Sequence, residues 1–452
     1  MEVDSARETA LKIIYDINEK GAYSNIAIDK RLKTGSLREI DRAFITDIVY
    51  GTIQWKMAID RIIEQFSNIR LKKVSPWILN ILRMGVYQLV YMDKVPESAI
   101  CNESVKLAKK YGHSGSAGYV NAVLRNIARR SGEIEYPDKE KDYIGYLSVR
   151  YSHPAWMIEK WEAAYGRDFT ESLLASNNSI PDFSIRTNTL KIDRDKLAEE
   201  LRQAGIPAEN GRYAEEALII RTPSAVSRLE AFKKGYFQVQ DESSMLAVKI
   251  LDPHPGELVM DVCAAPGGKT SHIAQLMKNE GVVVARDING RKLELVKEAS
   301  GRLGIKIIRT EIFDASALDA NFLQKADRVL ADVPCSGLGI IRRKPDIKWK
   351  RAAGELDELA KLQSAIIRTV SQYVRPGGVL VYSTCTINPG ENENVVDAFV
   401  KESEGAFEME DIAPLLPEKL KKPETKMGRL RLAPNSDGTD GFFIARMRRV
   451  EG

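Results

Sequence analysis

Two of the chain's four cysteines stand where a protein could use them chemically. Cys335 follows Asp332-Val333-Pro334 and Cys385 follows Tyr382-Ser383-Thr384, and each triplet closes a short apolar run that reads as a β-strand. A free cysteine taken alone is most often inert packing. Two at the ends of consecutive strands should meet at one mouth of a sheet, which favours reactive thiols. Carbon 5 of cytosine is a poor nucleophile until a thiolate adds at carbon 6, which makes the ring an enamine-like species able to attack an activated methyl. After transfer the proton at carbon 5 must leave and the thiolate must be expelled, so a second group must act as base or aid release. Cys335 is placed for that second role. Addition also calls for a proton donor at N3, and Asp332, an acid at a ligand-filled strand end with its pKa raised by burial, is the candidate. Methylation of an exocyclic amine needs no thiol, because the amine attacks the methyl donor itself.

A cofactor loop candidate precedes them. The run 258–262 leads into Cys263-Ala264-Ala265-Pro266-Gly267-Gly268-Lys269-Thr270, whose small residues let backbone amides approach a ligand at a helix start. The Gly-Lys-Thr ending imitates a P-loop, but Cys263 stands where that motif needs glycine, which argues against a nucleoside triphosphate. Asp287, about 20 residues after Gly267, is spaced to accept both hydroxyls of a ribose. Asp314 and Asp332 follow the next two strands. Three acids at successive strand ends beside a glycine turn point to a nucleoside-like cofactor.

These residues need a sheet to hold them. Apolar strands expected at 258–262, 282–287, 305–308, 328–333 and 379–383 alternate with helices, the rhythm of a doubly wound α/β core. Ahead of it, strands at 183–187 and 217–220 and a helix at 194–204 predict a small α+β unit. Up to about Arg130 the pattern is all-α: Ala6, Ala10, Ile13, Ile14 and Ile17 share one face, and so do Ile78, Ile81, Leu82, Val86 and Leu89 behind Pro76. Further helices are expected at 98–110 and 117–130. The polar stretch 131–154 marks a boundary, so the domains expected are 1–135 all-α, 136–245 linker and α+β RNA-recognition domain, and 246–452 catalytic.

Charge bears on the partner. Residues 1–130 hold 21 Lys and Arg against 14 Asp and Glu, the remainder 46 against 49, so the basic end is the N-terminal one, as a polyanion partner requires. Arg125, Arg129 and Arg130 on the last helix of that region suit either phosphates or a helix C-terminus. The segment 337–351 interleaves Arg342, Arg343, Lys344, Lys348, Lys350 and Arg351 with Trp349, a mix suited to phosphates and base stacking, and its place after Cys335 points to substrate contact. Four scattered cysteines exclude a disulfide framework and a paired zinc site, and no metal is expected. No leader and no apolar run of membrane-spanning length is evident, so a soluble cytoplasmic protein is expected.

The motifs VCAAPGGKT from Val262, ADVPCSGLGIIRRKPDIKW from Ala331, YSTCTINPGENENVV from Tyr382 and DGTDGFFIA from Asp437 resemble the bacterial RsmB (Sun/Fmu) family. Its members are S-adenosylmethionine (SAM)-dependent 5-methylcytosine methyltransferases of 16S ribosomal RNA, and the helical part here, AGYVNAVLRNIAR included, resembles their NusB-like RNA-binding domain. The likeness spans nearly the whole chain. It implies a Rossmann-like methyltransferase core, a SAM site lined by Cys263, Ala264, Ala265, Pro266, Gly267, Gly268 and Lys269 with Asp287, Asp314 and Asp332, and Cys385 as nucleophile. It implies RNA as partner, 16S rRNA in particular, with neither membrane nor DNA. Val333 and Arg286 depart from the residues usual at their positions, and neither removes a functional group. Two alternatives stay open: the same chemistry on transfer RNA, which the NusB-like domain disfavours, and a non-catalytic RNA-binding or antitermination factor, which the intact cysteines and glycine loop disfavour.

Overall fold

The computed structural model describes residues 3–33, 37–221 and 226–451. They fall into two compact units, Met1–Ser179 with Ile341–Arg351, and Ile180–Ile340 with Ala352–Gly452.

The first unit is helical, with α1 Ser5–Lys20, α2 Ser24–Lys33, α3 Glu39–Gln54, α4 Lys56–Phe66, α5 Pro76–Tyr91, α6 Glu97–Tyr111, α7 Ser116–Arg129, α8 Tyr143–Tyr151, α9 Ala155–Tyr165 and α10 Arg167–Asn177. The apolar stripe of α1 is buried as the spacing requires, and Asp4 caps its start by accepting the Arg7 N–H. Pro76 opens α5, where its missing N–H costs nothing. Ile13, Ile48, Ile59, Ile81, Val86 and Leu124 join one core, each burial stabilising the bundle by roughly 1.5–3 kcal/mol.

Residues 341–351 belong to this bundle, and three residues of the basic segment 337–351 expected to contact substrate, Lys348, Trp349 and Lys350, are instead engaged by its helices. Lys348 is buried and its Nζ donates to Gln54 O at 2.7 Å, while Trp349 Nε1 donates to Ile53 O at 2.7 Å. Lys350 Nζ reaches Gly21 O at 3.0 Å and Ala22 O at 2.6 Å and lies 3.7 Å from the Tyr23 ring centroid. These carbonyls sit at the C-terminal ends of α3 and α1, where helices leave acceptors unpaired and the dipole favours cations. Lys348 and Lys350 thus serve helix ends.

The second unit holds two sheets. The smaller has order β2-β3-β1-β4, all antiparallel, from β1 Ser184–Thr187, β2 Ala208–Asn210, β3 Ala217–Ile220 and β4 Phe237–Val239, with the helix Arg194–Gln203 against it. The larger runs β10-β12-β9-β8-β5-β6-β7, with β11 paired to β12. Its parallel part is β5 Leu258–Asp261, β6 Val282–Asp287, β7 Ile308–Ile312, β8 Ala326–Asp332 and β9 Val374–Thr384. Antiparallel β10 Phe407–Met409, β11 Arg429–Leu432 and β12 Phe442–Arg449 extend one edge. The third parallel strand starts three residues later than expected. Gly304, at φ +77°, ends the helix Gly290–Leu303 and Ile305 N–H bonds back to Ser300 O, so 304–307 form the turn. Val259, Ile273, Val283, Leu330 and Val381 pack one face of the sheet, and Met260, Val284, Val329, Leu380 and Tyr382 the other, the burial on both sides that parallel strands require. Among the described residues no helix is long and apolar enough to cross a membrane.

Candidate active site

The carboxyl ends of β5, β6, β8 and β9 converge because parallel neighbours share direction. Asp332 on β8 stands opposite Ser383 on β9, which places the residues just beyond, Cys335 and Cys385, in adjacent loops. Their sulfurs lie 3.2 Å apart. The loops are further joined by Gly339 N–H to Cys385 O at 3.1 Å and by Gly441 N–H to Gly339 O at 2.8 Å. A Cβ on Gly339 would stand 2.0 Å from Gly441 O, so glycine is required where the DGTDG run backs onto the Cys335 loop.

Asp332 is partly buried. Its Oδ2 accepts from Lys269 Nζ at 2.8 Å and its Oδ1 from Ser383 Oγ at 2.8 Å. The acid expected at this strand end is thus ion-paired. Burial opposes the Lys269 charge, yet the pKa of Lys269 is raised, because Asp332 and then Cys385 and Asp261 attract it. Cys335 is pushed well above the ordinary thiol range by its hydrogen bond to Cys385, then by burial and by the charges of Cys385 and Glu391.

The run Cys263 to Lys269 leaves β5 and opens the helix Gly268–Leu276. Ala264 is buried, Ala265 half-buried and Pro266 exposed after a cis peptide bond. Gly267 takes φ +99°, with a Cβ there only 3.2 Å from Val296, so the turn and the close packing both call for glycine. Asp287, at the end of β6, accepts Ala265 N–H at 3.3 Å on Oδ2 and Asn289 N–H at 2.8 Å on Oδ1. A carboxylate has about four acceptor positions, so both oxygens keep capacity for hydroxyls. Asp314 is exposed, with its pKa lowered by the Ser316 hydroxyl and N–H. Burial drives the Cys263 thiol well up, and Asp261, Asp332, Asp287 and Asp314 add to the rise. A turn of small residues at a helix start, faced by carboxylates with spare acceptors, fits a nucleoside-bearing cofactor.

Sequence reasoning missed three contributors. Asp261, buried at the end of β5, accepts the Thr270 hydroxyl at 2.7 Å, and burial raises its pKa to about 7. Its place directly before Val262-Cys263 was a usable signal. Arg186 on β1, buried, donates to Gly268 O at 2.7 Å, Ser271 Oγ at 2.9 Å and Gln275 Oε1 at 3.1 Å, so the small sheet grips the cofactor loop's helix. Nothing local in the sequence announces that grip. Glu391, in the NPGENEN run, is buried beneath both cysteine loops. No group of three or more His, Cys, Asp or Glu able to hold a metal occurs among the described residues.

A doubly wound sheet with a glycine turn after its first strand and acids at its strand ends has the architecture of a Rossmann-like methyltransferase. Comparison with known proteins narrows the class. The family model for 16S rRNA methyltransferase RsmB/F matches residues 248–448, that of the NusB family residues 4–129, and that of the RsmF/B-like ferredoxin-like domain residues 153–227. A probable ribosomal RNA small subunit methyltransferase B of Bacillus subtilis (strain 168) is 39% identical over 450 residues, covering 99% of this chain and 100% of the relative. The chain belongs to the 16S rRNA methyltransferase RsmB/F family. Among solved structures, PH0851 superposes with a TM-score of 0.83 at 28% identity over 99% of this chain and 100% of that one. NSun6 from Pyrococcus horikoshii, solved with SFG, gives 0.60 at 26% identity over 66% of this chain and 99% of that one. The helical, small α+β and Rossmann-like parts expected from the sequence are all present, the α+β part being the ferredoxin-like one.

Proposed function

We propose that this protein methylates carbon 5 of a cytosine in 16S rRNA, in the cytoplasm, through a covalent bond between Cys385 and carbon 6, with SAM as methyl donor. The observation that carries the reading is the pair of sulfurs 3.2 Å apart at neighbouring strand ends, beside the Lys269–Asp332 ion pair. SFG, bound in the NSun6 structure, is a SAM analogue, and the names of the curated relatives support small-subunit rRNA as substrate.

Residues Cys263 to Lys269 would line the cofactor site, with Asp287 able to accept ribose hydroxyls and Asp314 and Asp332 as further contacts. When bound, the cofactor supplies the methyl group that carbon 5 acquires. The cytosine enters flipped from its stack. The Cys385 thiolate bonds to carbon 6, the carbon 5–carbon 6 electron pair is taken into the ring, and N3 receives a proton that passes from Lys269 through Asp332 and returns when the adduct breaks down. The positive Lys269 attracts negative charge at the Cys385 sulfur and keeps Asp332 poised. After transfer the carbon 5 proton passes to solvent water, its electron pair re-forms the carbon 5–carbon 6 double bond, the carbon 6–sulfur bond breaks and Cys385 leaves as thiolate, with the Cys335 thiol donating a hydrogen bond to the departing sulfur. The raised pKa of Cys335 suits it to hold a proton instead of competing as nucleophile.

The test is incubation with SAM labelled in its methyl and separate unmodified 16S rRNA and transfer RNA, followed by nucleoside mapping. Label in 5-methylcytidine of 16S rRNA is expected; label in another nucleoside, or in transfer RNA alone, refutes the reading. On a denaturing gel, Cys335→Ala should accumulate a denaturant-resistant protein–RNA complex and Cys385→Ala should form none, and the reverse pattern exchanges the two roles.

A further inference from the structure

Glu391 joins the two cysteine loops from below. It is 0% exposed, and four donors meet its carboxylate. Oε2 accepts from Ser336 N–H at 2.8 Å and Gln363 Nε2 at 3.0 Å; Oε1 accepts from Ser336 Oγ at 2.5 Å and Asn388 Nδ2 at 3.1 Å. About four acceptor positions is what a carboxylate offers, so the set is filled. Ser336 follows Cys335 in the chain, and Asn388 and Thr386 lie in the loop of Cys385. Ser336 Oγ is 2.8 Å from Thr386 Oγ1, Gln363 Nε2 also donates to Pro334 O at 2.9 Å, and the Tyr382 hydroxyl donates to Glu391 O at 2.6 Å. The residues on both sides of Cys335 are thereby anchored to Glu391 or its partner Gln363.

We propose that Glu391 is a positioning residue that fixes the distance between the Cys335 and Cys385 sulfurs, so that release of the methylated base depends on it more than addition does. The proposal rests on the covalent reading above. Cys385 retains the support of β9 and of the Gly339 N–H on its carbonyl. Cys335, three residues beyond β8, relies on the carboxylate for the set of its loop. A buried charge bonded on every side is a costly arrangement that holds its neighbours to one geometry. Its charge also disfavours a thiolate at Cys335, after the hydrogen bond to Cys385 and burial.

Glu391→Gln in the full chain places an amide NH2 against groups that already donate. Turnover on an unmodified 16S rRNA transcript should fall by about tenfold to a hundredfold, the effect of losing charge-assisted hydrogen bonds. SAM affinity by calorimetry should stay within about twofold, because the cofactor loop makes no bond to Glu391. The distinguishing readout is a denaturant-resistant protein–RNA complex, which should accumulate as it does with Cys335→Ala. If Cys335→Ala traps the complex and Glu391→Gln stays at the wild-type level, the positioning role is refuted and the covalent reading stands. If Cys335→Ala traps none, the covalent reading falls and this proposal with it. Should Glu391→Gln lose SAM binding, Ser336→Ala, which removes one donor and keeps the backbone N–H, is read the same way: accumulation supports the role and a wild-type level overturns it.

Discussion

Replacing Asp261 by Asn should change how the catalytic unit's stability depends on pH. Asp261 is fully buried at the end of β5, its Oδ2 accepting the Thr270 hydroxyl. Burial raises its pKa from 3.8 to about 7, with Asp332 adding and Thr270 and Lys269 opposing. A raised carboxyl means that the folded state holds a proton the unfolded chain has lost, so stability falls as pH rises from the unfolded pKa through the folded one. The shift of about three units bounds the loss at roughly 4 kcal/mol, of which about 2–3 kcal/mol falls between about pH 5 and about pH 8. Asn is nearly isosteric, can accept from Thr270 and does not titrate. Its advantage over Asp should therefore grow as pH rises. Other acids respond in the opposite sense, Glu8 among them, with its pKa lowered to about 2 by Lys110, Lys12 and Tyr111 against the effect of burial. Only the difference between the two proteins at each pH isolates Asp261. All five tryptophans lie in the helical unit, so fluorescence would follow the wrong part of the chain. Native-state amide exchange in peptides covering β5 and the following helix reports the right one. Parallel protection curves for Asp261→Asn and wild type across that range would refute the reasoning.

Other consequences are open to measurement. Asp287→Ala should weaken SAM binding by roughly 1.5–3 kcal/mol, the cost of losing hydrogen bonds to a charged group, with RNA affinity unchanged; calorimetry with an unaltered SAM affinity would mean the cofactor lies elsewhere. Trp349→Phe removes the Nε1 donor from Ile53 O and should lower the stability of the helical unit by about 1 kcal/mol, read as an earlier urea midpoint in tryptophan fluorescence. Charge reversal at exposed Lys72, Lys73, Arg125 and Arg129 should weaken RNA binding and flatten its salt dependence by about 0.7–0.9 for each phosphate left without its cation. An unchanged slope in a salt titration would place the RNA elsewhere.

Much of this molecule could be read from its sequence, for a physical reason in each case. Parallel strands are buried on both faces and read as apolar runs, so β6 at Val282–Asp287 was expected at its observed limits. Ala217–Ile220 was likewise placed. The antiparallel strands β10 to β12 were not foreseen; β10 is three residues long and pairs only along the sheet's edge, too short for periodicity to register. The turn after β5 and the acid ending β6 were legible because glycine turns and acids at a fixed spacing are local. Long-range partners were not. Three of the four donors to Glu391 come from residues 28 and 55 positions away, and Arg186 reaches a carbonyl 82 positions on. The basic segment misled for a related reason: Lys348 and Trp349 are composed like a nucleic-acid contact, but their partners, Gln54 and Ile53, lie almost 300 residues earlier. Composition reports what a side chain can bind, and only the fold decides what it meets.

The pairing of β8 with β9 is what turns two distant thiols into one site. Parallel neighbours cannot be joined by a tight turn, so the chain must travel a long crossover between them. Here the crossover carries both the 341–351 segment and the helix Glu355–Val370. That helix supplies Gln363, which donates at once to Pro334 O and to Glu391. The connection demanded by topology thus also secures the loop that holds Cys335. Once the register sets Asp332 against Ser383, Lys269 comes in from the β5 side and Glu391 from beneath. The two thiols then stand 3.2 Å apart with charges of opposite sign acting on them, an ammonium attracted to Cys385 and a carboxylate disfavouring charge on Cys335. These charges add to the larger effects of burial and of the Cys335–Cys385 hydrogen bond, and their direction matches the division into nucleophile and release group proposed for the two thiols.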